Sequence, residues 1–503
     1  GKKSLMKNCS MAHLGERWLL RCKSVITRRD PGMRINTIPY QLETDLVYSG
    51  TETSTRRPAL PASSVSHVGS DGNTFVKPEE IPLNKRNFIY TPCTANPLFR
   101  ELKYSTTEYP HDSPGINAMD RSDGLSLGEH STATVSVPGS SGWRTGRCDI
   151  SVKEGDAYWE VEIQSGGSLE SSSLSLKSQK EKLNVTPHVR VGISRREASL
   201  EAPVGFDPYG YGVRDNTLES IHQGKITQRL PGTRLKSGDR LGLLLHLPSY
   251  KEQLRQSKEY TRCKLDALSQ SGINDGGSTA DFNGPSRKRS KLMNTTEFQR
   301  ALLRDHDPTN IIRDHIAIRY KNQLFFEATD YVKTTKPEYY TSDKRERQDY
   351  YSLDGSYLRV YLNGEPIGDA FNDLRPFLPP FSELQYNEKF YFGYWKSGSD
   401  HAENGANGSD SLPLSTGNKR KGQLLKNKYV NNNKLGYYPT ISCFNGGVAR
   451  IVTNTKQLLY WDKVKQDKRD VKCLDEIYDE QVADEIVWDI IDEVEAEFLC
   501  GSL

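Results

Sequence analysis

The sequence predicts a mainly β protein, an antiparallel β-sandwich with long inserts and a C-terminal amphipathic helix. Two observations indicate this fold class. Many short runs of β-prone residues are separated by Gly-containing turns, and residue types alternate within those runs, as in YWEVEI at 158–163. In that run Trp159, Val161 and Ile163 are expected on one face, with the residues between them on the other. An α/β sheet is excluded because no helical pattern alternates with the strands.

Composition describes a soluble chain. The 503 residues are 35% hydrophobic and 26% charged, with a mean hydropathy of -0.70, which fits one large domain with polar inserts. The net charge of +3 is too balanced to predict nucleic-acid binding by itself. No apolar run approaches the roughly 18 residues of a membrane span. The eight cysteines lack zinc-site spacing, so we expect no metal, no cofactor and no disulfide framework.

The first 80 residues are predicted to form a mostly disordered arm. Ser49–Lys77 is rich in Ser, Thr, Pro and Gly, with few apolar groups to offset the entropy of ordering. Met33 resembles a natural start, so residues 1–32 are interpreted as sequence outside the native protein. From Ile81, β-prone residues mix with prolines that exclude a helix. Residues 81–145 are therefore expected to pack on the edge of the main domain.

The main domain is predicted to span residues 146–455. Its strands are expected at Cys148–Val152, Tyr158–Ile163, His188–Ile193, Arg240–Leu247, Ile316–Tyr320, Gln323–Phe326, Tyr357–Leu362, Phe390–Tyr394 and Tyr437–Phe444. Turn residues such as Asn363-Gly364 separate them. Polar inserts near 166–184, 270–291 and 397–422 are expected to be mobile. Helical patterns at Tyr250–Leu265 and Thr296–Arg304 border the second insert.

The stretch 475–498 predicts an amphipathic helix. Apolar residues recur mostly every three or four positions, at Ile477, Val482, Ile486, Val487, Ile490, Ile491 and Val494. The other face is acidic without an intervening Lys or Arg, so repulsion leaves the helix marginal in isolation. A partner is therefore expected. The alternative is that the helix folds back on its own sandwich.

No residue pattern predicts catalysis. Histidines occur singly, and no G-x-S-x-G, P-loop or H-E-x-x-H motif is present. The glycines at 205, 210 and 212 indicate phosphate binding only weakly, because no helix N-terminus follows them. The polar and aromatic groups of Ala157–Asp215 suit the binding of another protein. We predict a binding module and not an enzyme.

Six motifs in a fixed order carry a resemblance to a known family. They are YWEVEI at 158–163, RVGISRR at 190–196, EAPVGFDPYGYGVR at 201–214, GDRLGLLL at 238–245, LFFE at 324–327 and YLNGEPIGDAF at 361–371. From about Ile38 to Phe498 the chain resembles the SPRY-domain subunit of COMPASS, the histone H3 lysine-4 methyltransferase complex. The resemblance implies a SPRY-type sandwich and a non-catalytic scaffold in the nucleus that stimulates histone methylation. Its implied partners are a SET methyltransferase subunit, WD40 propeller subunits and the nucleosome.

A SPRY adaptor or substrate receptor of a ubiquitin ligase is the alternative function. That class normally brings a zinc-binding or cullin-linking segment, and none is visible in the sequence.

The resemblance implies a site for an acidic and aromatic segment of the WD40 propeller subunit. The matching positions are Trp143, Arg190, Pro203, Phe206 and Arg214. Two guanidiniums can engage carboxylates, and the aromatic and proline residues supply an apolar wall. Trp143 and Phe206 stand where the animal relative has tyrosines, and Asn216 stands where it has a lysine. The alternative is that Arg190 pairs with a neighbouring acid and that the loop residues only shape a turn.

Further contacts are implied for the terminal helix and for the basic clusters. The helix resembles a motif that binds in the hydrophobic groove of a small, dimeric, dumpy-type docking subunit. The residues expected to make this contact are Val482, Ile486, Val487, Ile490, Ile491 and Val494. Candidate contacts with DNA backbone or importin are Lys85, Arg86, Arg287, Lys288, Arg289, Lys291, Lys419, Arg420 and Lys421. The alternative for each basic cluster is a solubilising loop.

Overall fold

The computed structural model describes ten stretches of the chain. These are residues 63–79, 81–82, 89–92, 114–167, 186–231, 234–274, 315–321, 323–328, 351–378 and 434–500. The strands within them are β1 (Ser63–Val68), β2 (Thr74–Pro78), β3 (Ile89–Pro92), β4 (Ile116–Arg121), β5 (Ser126–Gly128), β6 (Thr134–Ser136), β7 (Arg144–Cys148), β8 (Gly155–Ser165), β9 (His188–Ser194), β10 (Gly210–Arg214), β11 (Glu219–His222), β12 (Lys225–Arg229), β13 (Arg240–Leu247), β14 (His315–Tyr320), β15 (Gln323–Ala328), β16 (Leu353–Leu362), β17 (Glu365–Leu374), β18 (Tyr438–Phe444), β19 (Val448–Val452) and β20 (Lys472–Cys473). The helices are α1 (Tyr250–Asn274), α2 (Trp461–Asp467) and α3 (Leu474–Cys500).

Two large antiparallel sheets form the predicted sandwich. The larger sheet has the order β1-β2-β5-β6-β19-β8-β13-β16-β17, and the short strand β20 adds to β8 in parallel. The smaller of the two has the order β12-β11-β10-β9-β18-β7-β4. A third sheet, β14-β15-β3, has three strands within the described residues. The prediction of a mainly β, antiparallel fold is confirmed.

The core lies between the two large sheets. Trp159 and Val161 of β8 and Val189 and Val191 of β9 belong to one buried apolar cluster. Tyr158 lies on the opposite face of β8, in a second cluster. The alternation predicted for YWEVEI is therefore confirmed, because a strand sends successive side chains to opposite faces.

One predicted strand has the bounds that the structure shows, and another does not. Arg240–Leu247 forms β13 as predicted. The prediction of a strand at Cys148–Val152 is wrong, because β7 ends at Cys148. The Asp149 N–H donates to the Gly115 carbonyl at 2.9 Å, and the Asp149 carboxylate accepts from the Gly115 N–H at 2.9 Å. These bonds turn the chain away from the ladder, leaving Val152 in an isolated bridge.

The hairpin β1–β2 corrects the prediction of a mobile arm for residues 63–78. Phe75 is fully buried, stacks on His67 with ring centroids 5.0 Å apart and pairs with Gly128 of β5. One large buried ring and the pairing of β1, β2 and β5 outweigh a polar composition, because burial and backbone hydrogen bonds offset the entropy of ordering.

The described residues between 81 and 145 contribute strands to the sandwich. Ile81 and Tyr90 cluster with Met119 of β4. Strands β4 to β7 are members of the two large sheets. The predicted boundary at residue 146 is therefore wrong, because the sheets recruit strands from before it.

Turns and helices complete the frame. Asn363 and Gly364 have φ of 48° and 85° and join β16 to β17 in a two-residue hairpin, as the Asn-Gly pair predicts.

Helix α1 extends to Asn274, so the expectation of a mobile insert is wrong for residues 270–274. Residues 168–184, 275–291 and 397–422 of the predicted inserts lie outside the described residues, as do the predicted strand Phe390–Tyr394 and the predicted helix Thr296–Arg304. Within the described ranges, no helix is long and apolar enough to cross a membrane.

Candidate protein-binding site

The five predicted propeller contacts lie on the outer face of the seven-stranded sheet or in the loop that crosses it. Arg190 on β9 and Arg214 on β10 are direct cross-strand partners. Their neighbours Val191 and Val213 are in the core, so the arginines lie on the outer face. Trp143 immediately precedes β7. We call Trp143, Arg190, Pro203, Phe206 and Arg214 the arginine–tryptophan surface.

An aromatic row holds Arg190 in place. The Arg190 guanidinium carbon lies 5.0 Å from the centroid of the Trp143 ring, a cation–π contact. Trp143 in turn lies 5.3 Å from the Phe444 ring, and Phe444 lies 6.3 Å from His188. Sequence reasoning missed Phe444 and His188. The register of β18 against β9, which makes these two residues cross-strand partners, is visible only in the folded chain.

The Arg190 guanidinium is buried without a carboxylate. Arg190 is 8% exposed, and Nη1 donates to the Val204 carbonyl at 3.4 Å. Nε is buried with no hydrogen-bond partner. Burial and the neighbouring charge of Arg214 lower the pKa of Arg190 to about 10, so the group stays charged at neutral pH. The charge of Asp215 acts in the opposite direction and raises this pKa, but among the described residues no carboxylate lies within salt-bridge distance of Arg190.

Arg214 has a partner and remains accessible. Nη1 of Arg214 donates to Glu219 Oε2 at 2.8 Å, with the Arg214 side chain 40% exposed and the Glu219 side chain 19% exposed. No motif in the sequence indicated Glu219, because the pair forms across the β10–β11 hairpin. A half-exposed ion pair is weak, so a carboxylate from another protein can compete with Glu219 for this guanidinium.

The loop between β9 and β10 carries Pro203 and Phe206, the two residues predicted to form an apolar wall. Its turn is closed by the Phe206 N–H, which donates to the Pro203 carbonyl at 3.0 Å, and Phe206 is 47% exposed. Gly205 has φ of 87°, and a Cβ there would lie 2.3 Å from the Ile221 carbonyl oxygen. Only glycine lets the loop lie this close to β11. The loop therefore presents Phe206 at a fixed place.

Asp215 fixes the end of β9 beside the aromatic row. Its Oδ2 accepts from the Gly167 N–H at 2.7 Å and from the Val189 N–H at 2.8 Å. Its Oδ1 lies 3.3 Å from His188 Nδ1. These contacts commit the carboxylate of Asp215 to its own strands. Sequence reasoning did not identify this residue, although it directly follows Arg214.

The terminal helix is partly a member of the sandwich. Leu474, Ile477, Tyr478 and Val482 belong to the main core cluster, and Val487 is 7% exposed. The prediction that Val482 and Val487 are free to dock a partner is wrong, because both are buried in this chain. For the first half of α3 the alternative of folding back is right.

The second half of the helix is less fully described. Ile490 is half-buried and packs against the same core. The side chains of Ile486, Ile491 and Val494 lie outside the described residues.

The basic clusters lie outside the described residues as well, at Lys85, Arg86, Arg287, Lys288, Arg289, Lys291, Lys419, Arg420 and Lys421. Among the residues that are described, no group of His, Cys, Asp and Glu side chains is arranged to hold a metal ion. Cys148, Cys443 and Cys473 are buried free thiols, and burial raises the pKa of the Cys473 thiol to about 11.

The chain is 50% identical over 499 residues to "COMPASS component BRE2" of Saccharomyces cerevisiae, covering 92% of this chain and 99% of BRE2. It belongs to the BRE2/Ash2 family of COMPASS components. "COMPASS component cclA" of Aspergillus fumigatus is 27% identical, over 84% of this chain and 60% of the relative. "Set1 complex component ash2" of Schizosaccharomyces pombe is 26% identical, over 87% of this chain and 50% of the relative.

Two further comparisons concern family profiles and solved structures. No sequence profile of a known protein family matches the chain. A solved human SPRY domain aligns at 10% identity with a TM-score of 0.24, over 65% of this chain and 94% of that domain.

Membership of this family confirms the prediction of a regulatory subunit. The relatives are named as components of COMPASS or of the Set1 complex. These names favour the methyltransferase complex over the alternative of a ubiquitin-ligase adaptor.

Proposed function

We propose that this BRE2/Ash2-family protein is a non-catalytic scaffold of COMPASS that binds a WD40 propeller subunit through the arginine–tryptophan surface. One observation carries the proposal: Arg190 is a buried cation with no carboxylate in salt-bridge distance among the described residues. It stands opposite a second cation, Arg214. A buried charge is costly unless it is paired. An acidic segment of a partner would supply the missing carboxylate.

The surroundings of Arg190 fit an acidic and aromatic peptide. Charge-assisted hydrogen bonds from guanidinium to carboxylate are among the stronger ones in proteins. Trp143 lies on one side of Arg190, and the exposed Phe206 lies on the loop that crosses the sheet. Aromatic and arginine side chains in partly enclosed pockets are the usual energetic centres of interfaces. This surface would therefore bind an acidic segment more tightly than a neutral one.

We also propose that the end of α3 docks the small dumpy-type subunit. Because the first half of α3 belongs to the core, docking would fall to Ile491 and Val494, with Ile490 at the boundary. The core-packed half would serve as a rigid base for the last turns of the helix, which lowers the entropy cost of binding. The helix would then be both part of the fold and an interface.

Joining these contacts would hold the SET subunit in a productive arrangement. A scaffold of this kind stimulates histone H3 lysine-4 methylation by reducing the population of inactive SET conformers, without donating a catalytic group. The same assembly would place the protein in the nucleus and near nucleosomal DNA. The basic clusters outside the described residues would contact the DNA backbone there.

A crossed experiment tests the two interfaces together. Arg214→Glu should weaken binding to the WD40 propeller subunit about tenfold, since it places like charge against an acidic segment, and should leave small-subunit binding unchanged. Ile491→Asp should do the reverse. Dissociation constants of both partners are measured by calorimetry, with histone methylation by the reconstituted complex as the second readout.

Arg469→Glu is the matched control, because Arg469 is an exposed arginine in the α2–β20 connection. It should change neither affinity. If Arg214→Glu leaves propeller binding intact, the site assignment is wrong. If Ile491→Asp lowers the affinity for both partners, the helix end belongs to the fold and is no separate interface.

A further inference from the structure

Strand β12 is an exposed edge next to the arginine–tryptophan surface. It is the outermost described strand of the seven-stranded sheet and pairs only with β11 among the described strands. All five of its residues, Lys225 to Arg229, are exposed. An edge strand presents alternate N–H and C=O groups that a further strand can pair with. The edge is therefore open to strand addition.

A row of charged side chains leads from the buried arginine to this edge. Arg190 faces Arg214 across the β9–β10 pair, Arg214 contacts Glu219 at 2.8 Å, and Glu219 faces Arg229 across the β11–β12 pair. The row thus carries three arginines and one carboxylate. Arg229 makes no ion pair with any described residue, so the positive charge of the row continues to the edge strand.

Apolar groups flank the turn that precedes β12. Ile226 is 55% exposed and Phe206 is 47% exposed. The loop of Phe206 is fastened to this turn, because the Gly224 N–H donates to the Gly205 carbonyl at 2.9 Å. Exposed apolar groups beside an open strand edge mark an interaction site rather than a plain solvent surface.

The edge strand is held firmly from its inner side. Gln228 Nε2 donates to the carbonyl of Ala370 on β17 at 2.7 Å, and Thr227 Oγ1 donates to the Ser220 carbonyl at 3.2 Å. These side chains tie β12 to both large sheets. A strand fixed in this way loses little entropy when another strand pairs with it.

We propose that the acidic segment of the WD40 propeller subunit continues past Arg214 and adds to the sheet as a strand beside β12. The inference rests on the proposed function and specifies its binding mode. From β9 to a strand added outside β12 there are four strand spacings of about 4.8 Å each, or about 19 Å. About six extended residues, at about 3.3 Å each, span that distance. The carboxylate that meets Arg190 would therefore lie about that many residues from the part that pairs with β12.

The charges of β12 favour the acidic segment over a second copy of the chain as the added strand. Strand β12 begins with Lys225 and ends with Arg229. Antiparallel pairing of two copies would place these cations opposite one another, which destabilises a strand pair. An acidic segment meets both with opposite charge.

Hydrogen exchange of the full-length chain, with and without the recombinant propeller subunit, tests the binding mode. Strand addition predicts slower exchange at the amides of residues 225–229, and side-chain contact alone predicts no change there. In parallel, Arg229→Glu should weaken propeller binding about three- to fivefold, as expected for an exposed ion pair. The control Arg469→Glu should not weaken it.

The outcomes separate the two proposals. Protection of 225–229 together with weaker binding by Arg229→Glu supports strand addition. If Arg214→Glu weakens binding while residues 225–229 stay unprotected and Arg229→Glu has no effect, strand addition is wrong and the propeller site stands. If the propeller does not bind at all, both proposals fail. A dimer of the free chain that Arg229→Glu tightens, measured by light scattering, would assign the edge to a second copy instead, because the substitution would set a carboxylate against Lys225 of the other copy.

Discussion

Arg190 and Arg240 are buried to the same extent, yet their surroundings are opposite. Arg190 is 8% exposed and Arg240 is 9% exposed. Arg240 Nη1 donates to Glu160 Oε2 at 2.8 Å, and its Nη2 lies 3.5 Å from Glu162. Arg190 has the Val204 carbonyl at 3.4 Å and the Trp143 ring. Arg240 is therefore a buried cation with an ion-pair partner, whereas Arg190 has none among the described residues.

The two arginines lie on the outer faces of different sheets, and the chain covers only one of them with its own carboxylates. Glu160, which pairs with Arg240, also accepts from the backbone N–H groups of Leu459 and Tyr460 at 3.1 and 2.9 Å. The C-terminal segment is thereby held against the larger sheet. Nothing comparable neutralises Arg190 among the described residues. A structural arginine and a binding arginine can therefore be buried to the same depth. They differ in whether the chain supplies a carboxylate for the buried charge.

The largest effect is expected for Arg240→Met. Removing Arg240 leaves the fully buried Glu160 with hydrogen bonds but without its cation, and breaking a buried ion pair in this way costs about 3–5 kcal/mol. The free energy of unfolding in urea measures this loss. Arg255→Met is the matched control, because Arg255 pairs with Glu252 and Glu259 at an exposed helix surface and should change stability by less than about 1 kcal/mol. Equal losses for both variants would contradict the comparison.

A middle effect is expected from His222, a half-buried base whose pKa, unlike that of Arg190, lies below neutral pH. Burial lowers the pKa of His222 to about 4, and its Nδ1 lies 2.8 Å from the Gly210 carbonyl. Since the unfolded pKa is about 6.5, the unfolded chain binds the proton first as pH falls. Stability is full above about pH 6.5 and is lost towards pH 4, by about 2 kcal/mol at pH 4.5.

The variant His222→Phe isolates this contribution. It keeps a ring stacked on Tyr211, whose centroid lies 4.2 Å from that of His222, and removes the titrating group. The difference in unfolding free energy between pH 7 and pH 4.5 should be about 2 kcal/mol smaller in the variant. An unchanged difference would show that His222 takes no part in the acid dependence.

The smallest effect on stability is expected for Arg190→Met. An apolar side chain of similar length removes a desolvated charge that has no carboxylate and loses a cation–π contact worth about 0.5–1 kcal/mol. The free energy of unfolding should therefore stay within about 1 kcal/mol of the wild type. Binding of the propeller subunit should nevertheless fall about tenfold. A loss of stability as large as that of Arg240→Met would mean that Arg190 is a structural residue.

Local patterns in the sequence foretold the parts of the fold that depend on neighbouring residues. The alternation of YWEVEI, the strand Arg240–Leu247 and the Asn363-Gly364 turn each follow from short-range geometry. The hairpin β1–β2 was missed because its order comes from Phe75 pairing and packing far along the chain. The composition of residues 63–78 does not show such a contact, since residues elsewhere in the chain offset the entropy of ordering this segment.

The strand and helix periodicities, the order of the motifs and the candidate arginines could be read from the chain alone. Which arginine is satisfied became visible only in the folded protein, because Glu160 meets Arg240 across 80 positions of chain whereas Arg190 meets Trp143 and Arg214. The same holds for the place of Val482 in the core and for β12 as the outermost described strand of its sheet. Burial and charge pairing depend on which strands become neighbours, and strand order is set by packing over the whole domain.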